Sequence, residues 1–181
     1  MASKKLSRKP KPVQYRRRRE SKTNYKKRLH LVLSQKPRLV VRFTNQQIIA
    51  QVISFNPVGD KVLAAVNSFS LKKLDWIYSC KNTPASYLTG LLIGKKALAA
   101  GVKEAIFDTG FKTPLQKGKS YAFLKGVLDS GLEVPHGDES IFPSEERISG
   151  EHLAEYLKSS NKPGKIPVKF AEVKRKITSA A

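Results

Sequence analysis

The 181-residue sequence predicts an α/β fold: a mixed sheet, a three-stranded antiparallel meander plus a parallel strand, packed with helices. A basic N-terminal arm and a C-terminal extension flank it. Three observations predict this. Apolar, β-branched runs fall at 39–44, 48–55 and 61–66, separated by short polar breaks, the pattern of an antiparallel meander. A long helical stretch from Thr83-Pro84 is followed by the apolar strand around Ala105-Ile106-Phe107, which implies a crossover and a parallel pairing. The charge is also uneven. Residues 1–30 hold 13 Lys/Arg against the single acid Glu20, so a net +12 of the chain's +21 lies outside any segment able to form a core.

Residues 1–14, with Pro10 and Pro12 among lysines, read as extended until bound to a partner. A short helix is expected from Thr23, capped by Thr23 or Ser21. Tyr25, Leu29 and Val32 would form its inner face, Lys26, Lys27 and His30 its outer one, and Pro37 would end it. In the first strand Leu39, Val41 and Phe43 alternate with Val40, Arg42 and Thr44. Asn45-Gln46 turns into Ile48–Phe55, and Asn56-Pro57-Val58-Gly59-Asp60 leads to a weaker third strand, Lys61–Val66. Residues 68–81 are irregular, with Leu71, Leu74, Trp76 and Ile77 partly buried. The long helix has Thr83 as N-cap and Pro84 as its first residue, and Gly101 stops it. A strand at Val102–Asp108 follows, then helices at Ser120–Ser130, closed by Gly131, and at Ser144–Leu157. The segment from Lys158 shows no core-forming pattern. The expected organisation is an arm (1–30), a globular domain (31–135), an acidic helical segment of net charge −5 (136–157) and a basic tail of +6 (158–181).

Several function classes are disfavoured. No apolar run reaches the roughly 18–20 residues of a membrane span, and the basic N-terminus has no apolar stretch behind it, so neither a membrane partner nor a secretory signal is expected. One cysteine, Cys80, allows no internal disulfide and reads as a packing residue in a reducing, cytoplasmic setting. Asp108-Thr109-Gly110 matches the aspartic-protease triplet, but that chemistry needs two carboxylates sharing a proton, and Phe111 stands where a small hydroxyl residue normally follows. The plainer role is a strand end and a turn. Gly90 and Gly94-Lys95-Lys96 lie mid-helix with three residues between the glycines and no following Ser/Thr, so they suit close helix packing rather than a phosphate loop. His136, His152 and the acids around them fit no standard metal spacing. No catalytic residue, metal, cofactor or small-molecule substrate is expected.

What remains is a polyanion partner. A solubilising tail needs a net charge of only about 2–8, and Tyr15 and Tyr25 add faces able to stack on bases. The candidate RNA-binding residues are Arg16, Arg17, Arg18, Arg19, Lys22, Lys26 and Arg28 of the arm, with Arg38, Arg42, Thr44, Asn45, Gln46 and Gln47 of the first strand and its turn. An arginine- and amide-bearing sheet face beside a cationic arm suits RNA's shallow minor groove and its 2′-hydroxyls. A binder of nucleic acid without sequence preference is the alternative, and an Asp-Thr-Gly hydrolase the remote one.

Tyr15-Arg-Arg-Arg-Arg-Glu-Ser-Lys-Thr-Asn-Tyr25, Lys36-Pro-Arg-Leu-Val-Val-Arg-Phe-Thr-Asn45, Ile49-Ala-Gln-Val-Ile53 and Asn82-Thr-Pro-Ala-Ser-Tyr-Leu-Thr-Gly90 then occur in order. Ile106-Phe-Asp-Thr-Gly110, Ala122 to Leu132, Val134-Pro-His-Gly-Asp138 and Arg147-Ile-Ser-Gly-Glu-His-Leu-Ala-Glu-Tyr156 follow. From about Tyr15 to Tyr156 the chain resembles the large-subunit ribosomal protein L eighteen family, in its archaeal branch. The resemblance implies a non-enzymatic three-layer α/β domain that binds 5S rRNA in the central protuberance and reaches the large-subunit rRNA and neighbouring ribosomal proteins. By the same resemblance Arg16 to Arg19 and Lys22 fall on a basic RNA-binding motif, and Arg42, Thr44 and Asn45 on a strand-tip motif. Many relatives continue that motif with Lys-His, where this chain has the uncharged Gln46-Gln47.

Overall fold

Four strands form the sheet: β1 (Arg38–Phe43), β2 (Ile48–Ser54), β3 (Lys61–Asn67) and β4 (Ile106–Asp108), in the order β3-β2-β1-β4. They belong to a computed structural model that describes residues 12–159 and 165–179. β1 and β2 pair antiparallel with Leu39 opposite Val52 and Val41 opposite Ala50. β2 and β3 pair likewise, with an irregularity at Val52/Ile53, and β4 joins β1 in parallel with Leu39 opposite Phe107. The expected mixed sheet is therefore the one observed. Its last strand is shorter than the 102–108 run suggested, because Glu104 forms only an isolated bridge to Glu133.

Side chains alternate across a strand, and here the alternation sorts two faces. Leu39, Val41, Ile48, Ala50 and Val52 are buried against α3 (Thr83–Ala99) and α4 (Lys119–Asp129), with Ile93, Ala97, Phe123 and Val127 opposite them. Arg38, Val40 and Arg42 lie on the other face, opposite Ile53, Gln51 and Ile49 of β2. That face meets the N-terminal arm.

The two large helices approach closely because each offers glycine where they cross. A Cβ on Gly90 would overlap the Phe123 carbonyl, one on Gly126 the Tyr87 carbonyl, and one on Gly94 the Ser130 hydroxyl. The packing role expected of Gly90 and Gly94 is the one they have. α3 begins one residue earlier than Thr83 as cap would require. The Asn82 carboxamide accepts from Ala85 N at 2.9 Å, a strong N-cap, and Pro84 becomes the second helical residue. Gly101 (φ +78°) and Gly131 (φ +93°) follow the ends of α3 and α4 in the left-handed conformation natural to glycine.

Three expectations are corrected. The stretch 144–157 is not one helix. Gly150, with φ +87° and the Pro84 and Ile166 side chains tight against it, divides it into α5 (Glu145–Ser149) and α6 (Glu151–Ser159). Residues 68–81 contain a 3-10 helix, Ser68–Leu74, and Trp76 and Leu71 are buried as expected, but Ile77 is 73% exposed. The largest correction concerns the tail. α7 (Ile166–Ser179) buries Ile166, Phe170, Val173 and Ile177, spaced at helical intervals along one face. With Leu71, Trp76, Tyr87, Leu88 and Ile148 they make a second core on the far side of α3. The lysines between these apolar positions masked the pattern.

Two outcomes test this packing. Gly90→Ala is expected to lower the unfolding free energy by about 1–3 kcal/mol through overpacking, whereas the same change in an open helix would raise it. Urea unfolding distinguishes the signs. Phe170→Ala is expected to cost about 3 kcal/mol in the same assay, which a solvated tail would not show.

Candidate nucleic-acid interface

The arm is built by local capping and then fixed to the sheet by charge. α1 (Arg16–Arg19) is a single turn, after which Ser21 takes φ +52° and the chain reverses. The reversal sets the Tyr15 and Tyr25 rings 5.4 Å apart and lets Arg17 Nε donate to Thr23 Oγ1 at 2.8 Å. α2 (Tyr25–Leu33) is capped by Asn24, whose side chain accepts from Lys27 N at 3.1 Å, not by Thr23 or Ser21. It ends at Ser34, before Gln35 (φ +58°), so it stops ahead of Pro37.

α2 is also turned relative to expectation. Leu29 is exposed, while Lys27 and Arg28 face the globule. Lys27 Nζ donates to Thr109 Oγ1 at 3.2 Å, and Arg28 donates to both carboxylate oxygens of Asp60 at 3.0 Å. An apolar stripe governs a helix only when an apolar surface awaits it. Here the receiving surface is a row of ions.

Those ions centre on Arg38. Its side chain is only 6% exposed and donates to Asp60 at 2.6 Å and to Asp108 at 3.3 Å. Arg42 lies 3.7 Å from the same Asp108 carboxylate and donates to the Asp108 and Val41 carbonyls at 2.9 and 2.7 Å. Asp108 also accepts from Gly110 N at 2.8 Å. Gly110 sits at φ +68° against the Arg42 guanidinium, where a side chain would be both strained and crowded. The Asp-Thr-Gly triplet thus closes a strand end and holds two arginines. Its aspartate has cationic partners instead of a second carboxylate.

A cleft forms where arm and sheet meet, lined by Arg17, Lys22, Lys27, Arg28, Arg38 and Arg42 among others, with Asp60 and Asp108 as its acids. Six cations against two carboxylates leave a positive surface there. The structure sorts the candidate residues into two groups. Arg18, Arg19 and Lys26 are exposed and donate no side-chain hydrogen bond among the described residues. Arg16 and Lys22 are exposed too, each pairing with Glu20, at 2.9 and 2.7 Å. Their ammonium and guanidinium hold the Glu20 carboxyl below its ordinary pKa, Lys22 first. Arg28 and Arg38 are instead committed to aspartates, and Arg42 is half-exposed.

At the turn between β1 and β2, Thr44 Oγ1 donates to the Gln47 carbonyl and accepts from Gln47 N, so the hydroxyl shapes the turn. Gln47 Oε1 accepts from Asn67 Nδ2 at 2.5 Å. The Asn45 and Gln46 side chains remain outward. Lys112, absent from the sequence candidates, donates to the Phe43 carbonyl at 2.9 Å and adds a cation beside this tip. Asp60 and Asp108 were also missed as organisers. A buried arginine on a strand needs an acid, but both acids lie far from Arg38 in sequence.

An α/β domain with a cationic arm laid across its sheet defines a class of strongly basic proteins with a positive cleft between arm and sheet. The comparisons narrow this. A family model described as "Ribosomal large subunit proteins 60S L5, and 50S L18" matches residues 9–105. The large ribosomal subunit protein uL18 of Caldivirga maquilingensis is 49% identical over 164 residues, covering 88% of this chain and 78% of that protein. That of Korarchaeum cryptofilum is 50% identical over 165 residues, covering 91% and 84%. The chain belongs to the uL18 family of large ribosomal subunit proteins, in its archaeal branch. Among the described residues no helix is long and apolar enough to cross a membrane.

Asp60→Asn is expected to destabilise the fold by about 3 kcal/mol, because it leaves Arg38 buried with half of its counter-charge. Asp60→Glu should recover part of the loss. Chemical denaturation of the three proteins measures it, and limited proteolysis should cut the arm of the Asn variant faster, since Arg28 loses its anchor.

Proposed function

We infer that the protein is a structural component of the large ribosomal subunit that binds 5S rRNA and helps attach it to the large-subunit rRNA in the central protuberance. It works on the ribosome, in the cytoplasm, and catalyses no reaction. The observation that carries this is the cationic arm pinned to the open sheet face, with Arg16 to Arg19, Lys22 and Lys26 exposed on it and Arg18, Arg19 and Lys26 making no side-chain hydrogen bond among the described residues. Membership of a family of large ribosomal subunit proteins supports RNA as the polyanion.

The two groups of cations have different work. Exposed arginines gain affinity by displacing counterions from RNA phosphates, which carries little sequence information. Arg28 on the Asp60 that Arg38 holds, and Lys27 on Thr109, fix where the arm lies, so the arm and the turn at Asn45-Gln46 present a defined shape. Shape and 2′-hydroxyl contacts are what distinguish one folded RNA from another. A binder without sequence preference would have no use for a neutralised arginine beneath its binding surface. A hydrolase would need a carboxylate free of cationic partners.

Deleting residues 1–30 is expected to weaken 5S rRNA binding and flatten its salt dependence. If six to ten phosphates are contacted, the wild-type protein should lose roughly 10³–10⁵ in affinity between 50 and 200 mM salt. Replacing Arg16 to Arg19 by Gln tests the outward cations while leaving Arg28 in place. An unchanged affinity and slope in these titrations would remove the arm from the interface, and equal binding to unrelated duplex RNA would favour the unspecific binder.

A further inference from the structure

A second surface extends from the β1–β2 turn over the segment that follows β3. The 3-10 helix Ser68–Leu74 places residues three apart on one side, so Phe69 and Lys72 stand together, with the Lys72 ammonium 5.2 Å from the ring centroid. Phe69 is 39% exposed and Ile77, in the loop that follows, is 73% exposed. With Asn45, Gln46 and Lys81 they line an open groove of about 490 Å³, within the range of roughly 300–1,000 Å³ typical of ligand sites. No carboxylate lines it. Asp75, the nearest acid in sequence, pairs with Lys176 of α7. The buried Cys80 closes the groove from below, and burial pushes its thiol pKa up, which leaves it an inert wall.

We propose that this groove is a nucleotide-binding subsite, which takes an unpaired base of ribosomal RNA on Phe69 and Ile77 and its phosphates on Lys72 and Lys81. It rests on the RNA-binding role inferred above and extends it from phosphates to bases. Exposed apolar groups rimmed by polar ones mark interaction surfaces. What selects RNA over a protein partner is the charge: an aromatic ring with Lys72 against it, Lys81 in the same groove and no acid in the lining is the combination that binds single-stranded nucleic acid, where rings stack on bases and cations follow the backbone. The amides of Asn45 and Gln46 supply donors and acceptors for a base edge. The groove adjoins the outward end of the turn already assigned to the RNA face, so one RNA can run from the arm across the turn into it.

The test uses the full chain with cognate 5S rRNA and, separately, cognate large-subunit rRNA. Phe69→Ala is expected to weaken binding to at least one of them by about 5- to 150-fold, the loss of one base–aromatic stack. Its salt slope should stay unchanged, and Phe69→Trp should recover affinity. Lys72→Gln and Lys81→Gln should each flatten the slope by about 0.7. Thermal unfolding checks that the variants remain folded, as the exposure of all three side chains predicts. Wild-type affinity of Phe69→Ala for both RNAs, with the Arg16–Arg19 variant still impaired, would overturn the subsite and leave the RNA-binding role standing. Loss of a ribosomal protein from the assembled subunit at unchanged RNA affinity would likewise overturn it, in favour of a protein contact. A wild-type protein that binds neither RNA would remove the role itself.

Discussion

The buried ion pairs of Arg38 hold the functional half of this molecule in place. A guanidinium that is almost out of water needs its counter-charges at close range, and Asp60 and Asp108 supply them from two different connections. Asp60 comes from the link between β2 and β3, and Asp108 from the end of β4, so one arginine ties both ends of the sheet to β1. Each aspartate then serves a second cation: Asp60 takes Arg28 of the arm, and Asp108 takes Arg42 near the turn. Removing either acid leaves an uncompensated charge under the arm. A hydrophobic plug could hold the strands as firmly, but it would not fix the direction of the arginines around it.

Beneath that layer the scaffold is ordinary close packing. The sheet covers one side of α3 and the C-terminal helices cover another, so α3 belongs to both cores and is buried along most of its length. Glycines at the α3–α4 crossing bring the two backbones together. The rigid half of the protein thus lies behind the sheet and the charged half in front of it.

Much of the fold was legible in the sequence because its signals are local. Alternation located β1, β-branched apolar runs located β2 and the weaker β3, and Thr83-Pro84 located the start of α3 to within one residue. Positively charged candidates were easy to find for the same reason. What was hidden depends on partners distant in sequence. Tyr25, Leu29 and Val32 gave a helical stripe, yet Asp60 and Thr109 turned the helix so that Arg28 and Lys27 face inward. Nothing near Arg38 announces that its charge is consumed 22 and 70 residues away. Ile166, Phe170, Val173 and Ile177 form a helical face, but interleaved lysines and the prolines before and within it read as a solvated tail. Ile77 shows the opposite error, an apolar residue left outside.

The position of α7 also bears on how the chain acquires its structure during synthesis. The core behind the sheet draws on residues up to Val134, so it can close while the C-terminal part is still being made. The second core cannot, because Val173 and Ile177 are among its best-buried members. Until they arrive, Trp76, Leu71 and the outer side of α3 lack the cover of α7, in a chain whose front end already carries most of its charge. A chain that ends before α7 would have the residues of the sheet core, a cationic arm and an uncovered apolar flank, a partial fold of the kind prone to wrong association.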